Sequence, residues 1–234
     1  EQLASNTRYE LHARVVENDG TTHDFSSPPF EKYELQDGRY SLTQNWLPDH
    51  LWDIHTPENT CTATLSLTRQ GGQLLDVALD TRFGFREFWI DGKDFYLNGS
   101  RIYLACVPFD NAQIGAFHAG YEQACESFRR LKSFGINFVY THNYGCQPGS
   151  HLSFAEILQA ADDIGVLVAL SQPHFSHYEW SEEDAANNGY ARHAAFYVAA
   201  AGNHPSVVAY SMNHNACGYA EDMNPDSIDG LDDP

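Results

Sequence analysis

The 234-residue chain carries 32 acidic against 13 basic residues, a formal charge of −19 that repels phosphate backbones and anionic headgroups, so neither nucleic acid nor a membrane surface is an expected partner. With 42% hydrophobic and 13% aromatic residues it has the apolar mass for a globular core, in one large domain or two small ones. No apolar run is long enough to span a bilayer, and the polar opening at residues 1–9 lacks the basic and apolar pattern of a signal peptide.

From residue 8 to about residue 80 the sequence alternates over short stretches. Tyr9, Leu11, Ala13 and Val15 share one side of a strand, and the period of two returns in Tyr33 with Leu35, in Tyr40 with Leu42, and in Ala63, Leu65 and Leu67. The breaks fall at Asn18-Asp19-Gly20, Ser26-Ser27-Pro28-Pro29, Asp37-Gly38 and Gly71-Gly72, residues that accept positive φ or preset a turn. Residues 1–88 are therefore expected to form an antiparallel β-sandwich.

Beyond about residue 94 strand and helix alternate. Residues 101–107 read as a buried strand, and 121–134 as a helix with Ala124, Phe128 and Leu131 on one stripe, stopped by Gly135 ahead of a strand at 136–140. Ser153 and Glu156 form a capping box for a helix through Ile164, Gly165 ends it, and 166–170 is the next apolar strand. A helix over 192–201 stops at Gly202 before a fourth strand at 207–212. Such βα units predict parallel strands joined by right-handed crossovers over residues 89–234, as half of a barrel or half of a doubly wound sheet.

Specific residues point to the first of these. Trp52 with Pro57, Arg82-Phe83-Gly84-Phe85-Arg86-Glu87, Phe95-Tyr96-Leu97-Asn98-Gly99 and Arg101-Ile102-Tyr103-Leu104 resemble the junction in glycoside hydrolase family 2 where an immunoglobulin-like sandwich hands over to a catalytic (β/α)8 barrel. Leu131-Lys132-Ser133-Phe134-Gly135-Ile136-Asn137 is similar to that family's first barrel helix and second strand, and Asn203-His204-Pro205-Ser206-Val207-Val208 to its entry into strand four. The resemblance implies an immunoglobulin-like β-sandwich over 1–88, the N-terminal half of a (β/α)8 barrel over 89–234, and cleavage of terminal sugars from glycosides or polysaccharides. It also implies a retaining mechanism with two carboxylates, an acid/base after strand four and a nucleophile near the end of strand seven. The remainder of the barrel would come from a longer chain or a partner, the location would be secreted, periplasmic or cell-surface, and no cofactor is implied.

The chain departs from the family's pattern at polar positions. Tyr210-Ser211-Met212-Asn213-His214-Asn215 puts Asn215 where the acid/base glutamate stands, and an amide has no proton to give. Tyr140 takes the place of a strand-two arginine, and Ser171 or Gln172 that of a strand-three glutamate. Asp222, seven residues beyond Asn215, is the first candidate for a replacement acid, with Glu221, Glu179 and His214 behind it.

Other hydrogen-bonding residues follow the expected strands: Asp110, then His142 and Asn143, then Gln172, His174 and His177, then Asn213 and His214. At the carboxyl ends of barrel strands they would face one pocket, and amide, imidazole and carboxylate groups suit a ring of sugar hydroxyls. Tyr144, Tyr178, Trp180 and Tyr219 could offer aromatic platforms, Trp180 first among them as a substrate-binding residue. Each also has a plain reading, since a histidine or asparagine at a strand end often caps backbone.

Five cysteines, Cys61, Cys106, Cys125, Cys146 and Cys217, are irregularly spaced without a Cys-x-x-Cys unit. Three of them, Cys106, Cys146 and Cys217, read as lying at or just after strand ends near His142, His174 and His214, but their spacing matches no ligand pattern and they read as small apolar residues, with no metal expected. The acidic tail holding Glu221, Asp222, Asp226, Asp229, Asp232 and Asp233 lacks EF-hand spacing and reads as a solvated loop. Two function classes follow: a piece of an active glycosidase, or a catalytically degenerate carbohydrate-binding or structural module that kept the scaffold.

Overall fold

The computed structural model describes residues 3–110, 120–142, 154–171 and 187–211. It is rich in sheet with few helices, and it divides into two compact units, Glu1–Ile102 and Tyr103–Pro234. That division falls later than the switch of pattern near Phe88, because three further antiparallel strands belong to the first unit.

The first unit holds a six-stranded antiparallel sheet. Its strands β1 (Arg8–Glu17), β2 (Thr22–Ser26), β4 (Cys61–Arg69) and β5 (Gln73–Val77) run in the order β2-β1-β4-β5, while β3 (Phe30–Glu31) pairs with β1 and β6 (Thr81–Phe83) pairs with β4. The register sets Leu11 against Leu67, Ala13 against Leu65 and Val15 against Ala63, so the alternating apolar residues share one face. The opposite face is polar: the His12 ring lies 2.8 Å from Ser26 Oγ and 3.0 Å from Thr68 Oγ1.

Two expected strands are not strands. Tyr33 lies in a 3₁₀ turn, Lys32–Glu34, in which the Glu31 and Glu34 side chains cap one another's backbone. Tyr40 and Leu42 are outside any strand, and Asp37-Gly38 closes only an isolated bridge between Gln36 and Arg39. The reason is packing: Tyr40 stacks on buried Phe30 at 3.7 Å between ring centroids, which satisfies the aromatic pair without a ladder.

The remaining strands of this unit form a meander, β7 (Phe88–Asp91), β8 (Asp94–Leu97) and β9 (Ser100–Ile102). The turn between β8 and β9 is Asn98-Gly99, with φ of 49° and 83°, the two positive values that a tight hairpin of this type requires. Asn98 also works through its side chain: Nδ2 donates to Trp52 O at 2.8 Å and Oδ1 accepts the Glu87 N–H at 2.9 Å. Trp52 itself is fully buried.

The second unit holds a parallel sheet of four strands in chain order, β10 (Cys106–Asp110), β11 (Phe138–His142), β12 (Leu167–Ser171) and β13 (Val207–Ser211). Helices α1 (Tyr121–Ser133), α2 (Phe154–Ile164) and α3 (Tyr190–Ala201) lie in the three crossovers. Gly135 and Gly165 take φ of 83° and 74° just past the first two helices, as their stop positions predict. The core joins Ala124, Cys125 and Phe128 of α1, Ile157, Leu158 and Ala161 of α2, and Val139, Val168 and Leu170 of the sheet.

The expected strand at 101–107 is split. Residues up to Ile102 close the antiparallel meander and the parallel strand starts only at Cys106. Asn137 holds the interval: its Oδ1 accepts the Ala105 N–H at 2.9 Å and its Nδ2 donates to Tyr103 O at 2.8 Å. Those bonds take the backbone groups a strand would offer to a neighbour.

Candidate functional site

In a parallel sheet whose helices cross back between strands, every strand points its carboxyl end the same way. The register here aligns Asp110 of β10 with His142 of β11, and Ser171 of β12 with Ser211 of β13. Asp110 and His142, two of the residues expected to bind substrate, thus end neighbouring strands at one level.

The other residues singled out, Asn143, Gln172, His174, Trp180, Asn213, His214, Asn215 and Asp222, lie outside the described residues, as do Glu179 and Glu221.

Two of the described strand ends are tied to each other. Thr141 and Ser171 are buried on adjacent strands, and the backbone N–H of Ser171 donates to Thr141 Oγ1 at 2.9 Å while its Oγ donates to Thr141 O. The backbone pairing of β11 with β12 runs from Phe138↔Leu167 to Tyr140↔Ala169, so these two bonds continue the contact beyond the ladder. Sequence reading passed over this pair; the signal it offered was a hydroxyl residue at each of two successive strand ends.

Cys106 corrects one expectation. It opens β10, paired with Phe138, and so stands at the amino end of the strand rather than beside His142. Cys106 is exposed, and partial desolvation by its neighbours still pushes its thiol up, against a hydrogen bond from the Tyr140 backbone. No group of three or more potential metal ligands occurs among the described residues.

At the amino end, the residues that resembled family motifs have structural partners. Asp162 of α2 is buried; Oδ2 lies 2.6 Å from His204 Nδ1, and Oδ1 accepts the Ser206 N–H at 3.1 Å. Lys132 donates to Ile164 O at 2.7 Å, placing a cation at the carboxyl end of α2. Among the described residues no helix is long and apolar enough to cross a membrane.

No protein-family model and no curated protein sequence matches the chain. Solved structures do resemble it. A β-glucuronidase from Bacteroides uniformis aligns over 90% of this chain and 24% of its own length, with 21% identity and a TM-score of 0.59. A glycosyl hydrolase family 2 member from Bacteroides cellulosilyticus aligns over 92% of this chain and 28% of its own, with 19% identity and a TM-score of 0.59. A β-D-mannosidase from Dictyoglomus thermophilum aligns over 89% and 26%, with 18% identity and a TM-score of 0.58. The chain spans about a quarter of the length of each of these proteins. It has the fold of the corresponding stretch of family 2 glycoside hydrolases.

Proposed function

We propose that this chain is part of a divergent family 2 glycoside hydrolase, one that removes terminal sugars from glycosides or polysaccharides at a secreted, periplasmic or cell-surface location. In this reading residues 1–88 belong to an immunoglobulin-like β-sandwich, and residues 89–234 are the first half of a (β/α)8 barrel completed by a longer chain or a partner. The observation that carries the proposal is the parallel sheet in chain order whose register levels Asp110 with His142 at the carboxyl end, where barrel enzymes build their sites.

On this reading Asp110, His142, Asn143, Gln172, His174, Trp180, Asn213 and His214 hold the sugar. A retaining reaction needs a nucleophile and a proton donor about 5 Å apart. Asn215 occupies the donor's place without a transferable proton, so the proton comes from elsewhere, with Asp222 the first candidate. The nucleophile would come from strand seven of the completed barrel.

A second reading, a degenerate carbohydrate-binding or structural module, is favoured by one observation. Tyr140 stands where the resemblance places an arginine and Ser171 or Gln172 where it places a glutamate, and the buried Ser171 hydroxyl donates to the Thr141 carbonyl. The two readings separate in one assay of the full-length protein and its Asp222→Asn variant on aryl glycosides and oligosaccharides. Turnover lost in the variant supports the enzyme with Asp222 as acid; turnover unaffected removes Asp222; retention of oligosaccharides without turnover supports the module.

A further inference from the structure

The side-chain amide of Asn98 is held on both atoms. Oδ1 accepts the Glu87 N–H at 2.9 Å, and Nδ2 donates to Trp52 O at 2.8 Å and to Asp53 Oδ2 at 3.1 Å. These partners fix which way the amide points, because its oxygen faces a donor and its nitrogen faces two acceptors. The Asn98 backbone N–H adds a bond to Glu87 O at 2.9 Å.

The next residue is Gly99, and that pairing carries a reaction. With no Cβ to shield it, the glycine nitrogen is open to attack Asn98 Cγ. The N–Cγ bond forms, ammonia leaves with the former Nδ2, and water then opens the five-membered imide at one carbonyl or the other to give aspartate or isoaspartate. Closing the ring swings Cγ onto the following backbone nitrogen, so the three side-chain bonds must break first.

We infer that Asn98 is a deamidation site that the native fold shields and whose products the native fold rejects. Aspartate there sets an oxygen where Nδ2 stood, facing Trp52 O and the Asp53 carboxylate. Two hydrogen bonds become contacts between acceptors, one of them between like charges. Isoaspartate adds a carbon to the main chain inside a turn whose flanking residues, Leu97 and Ser100, are paired across it. Deamidation in the unfolded chain therefore makes unfolding irreversible: a chain that has reacted cannot rebuild the contacts of this turn with Trp52 and Asp53.

The test starts with the wild-type full-length protein, incubated in mildly alkaline buffer with and without guanidinium chloride, and with peptide mass mapping of conversion over time. Asn188-Gly189 is the other Asn-Gly step of this sequence and serves as the reference. Conversion of Asn98 is expected to be roughly a hundredfold slower in native than in unfolded protein, from the bonds that must break, while in denaturant Asn98 and Asn188 convert at similar rates. On dilution from denaturant, the yield of refolded wild type should fall in step with Asn98 conversion. The yield of Asn98→Gly, which keeps Asn188-Gly189 and lacks only this site, should hold. Asn98→Asp should lower the denaturant midpoint, and adding Asp53→Asn, which returns a donor to the pair, should recover part of that loss. Comparable conversion of Asn98 in native and unfolded protein, an equal decay of yield in Asn98→Gly, or a wild-type midpoint for Asn98→Asp overturns the inference. The rate comparison needs no variant, so it decides even where Asn98→Asp does not fold.

Discussion

Asp162 on α2 and His204 ahead of β13 meet with 2.6 Å between Oδ2 and Nδ1, and the second oxygen of the same carboxylate takes the buried Ser206 N–H. One side chain therefore fixes where the fourth parallel strand begins. Asp162→Ala leaves that amide without its acceptor and is expected to cost about 3 kcal/mol. Asp162→Asn keeps an acceptor oxygen for Ser206 and is expected to cost about half as much. Urea midpoints read the ranking, and amide exchange at Ser206 and Val207 should accelerate more in the alanine variant than elsewhere in the sheet.

Asn98 serves the turn between β8 and β9 in two ways, through its φ of 49° and through its side-chain bonds to Trp52 and Glu87. Alanine loses both and glycine loses only the bonds. Asn98→Ala is expected to destabilise the first unit by about 3 kcal/mol and Asn98→Gly by about 1 kcal/mol less, the difference being the cost of left-handed backbone for a residue with Cβ. Near-ultraviolet circular dichroism from Trp52 follows the transition, and equal losses for the two variants would show that the conformation contributes nothing.

The contrast between these residues and the misread ones explains what was legible in the sequence. Gly135 and Gly165 mark the ends of α1 and α2 because positive φ after a helix is a local requirement that glycine meets best. The strands β11 and β12 were legible because each is an apolar run that follows such a stop. Tyr33, Leu35, Tyr40 and Leu42 offered pairs of alternating residues too short to distinguish a strand from a loop that buries one ring, and Phe30 stacking on Tyr40 decided for the loop. The break at residues 103–105 depends on Asn137, more than thirty positions away in the chain, which no local pattern encodes. Of the candidate site, only the strand-end places of Asp110 and His142 can be compared with the sequence reading, and the neighbouring pair Thr141 and Ser171 was missed. Asp110 and His142 could be placed at strand ends, but the bond from Ser171 to Thr141 needs the register between β11 and β12.

Burial, and then the charge of Glu17, push the Cys61 thiol from 9.0 up to about 11. The folded chain therefore holds this proton more tightly than the unfolded chain. The stability it contributes is fully present below about pH 9 and is lost as pH rises towards about 11. Tyr121 is also raised, by its hydrogen bond to Asp163 and then by Cys125, so the alkaline decline of the wild type is a sum. Subtracting the pH profile of Cys61→Ala isolates the thiol: the wild-type urea midpoint should fall more steeply over that window. At about pH 8 a thiol reagent should label the exposed Cys106 well before Cys61, as peptide mass mapping would read.

Thr141 ties the carboxyl ends of β11 and β12, because its hydroxyl receives the Ser171 N–H just past their last backbone pair. Thr141→Val keeps the shape and removes the acceptor. Both positions are buried, so water does not replace the lost bond easily, and the cost is expected to be about 1–3 kcal/mol. Thr141→Ser restores the oxygen while deleting a methyl group, and should recover most of that loss, less about 1 kcal/mol for the void. Ser171→Ala tests the second bond, since it leaves the backbone N–H in place and removes the donor to Thr141 O. If Ser171→Ala costs as much as Thr141→Val, the two bonds contribute alike; a clearly larger cost for Ser171→Ala would put the hydroxyl of Ser171 ahead of the ladder extension. Unfolding midpoints rank the three variants, and amide exchange at Ser171 distinguishes the mechanisms. It should accelerate in Thr141→Val, return towards the wild-type rate in Thr141→Ser, and change little in Ser171→Ala beyond the global loss of stability.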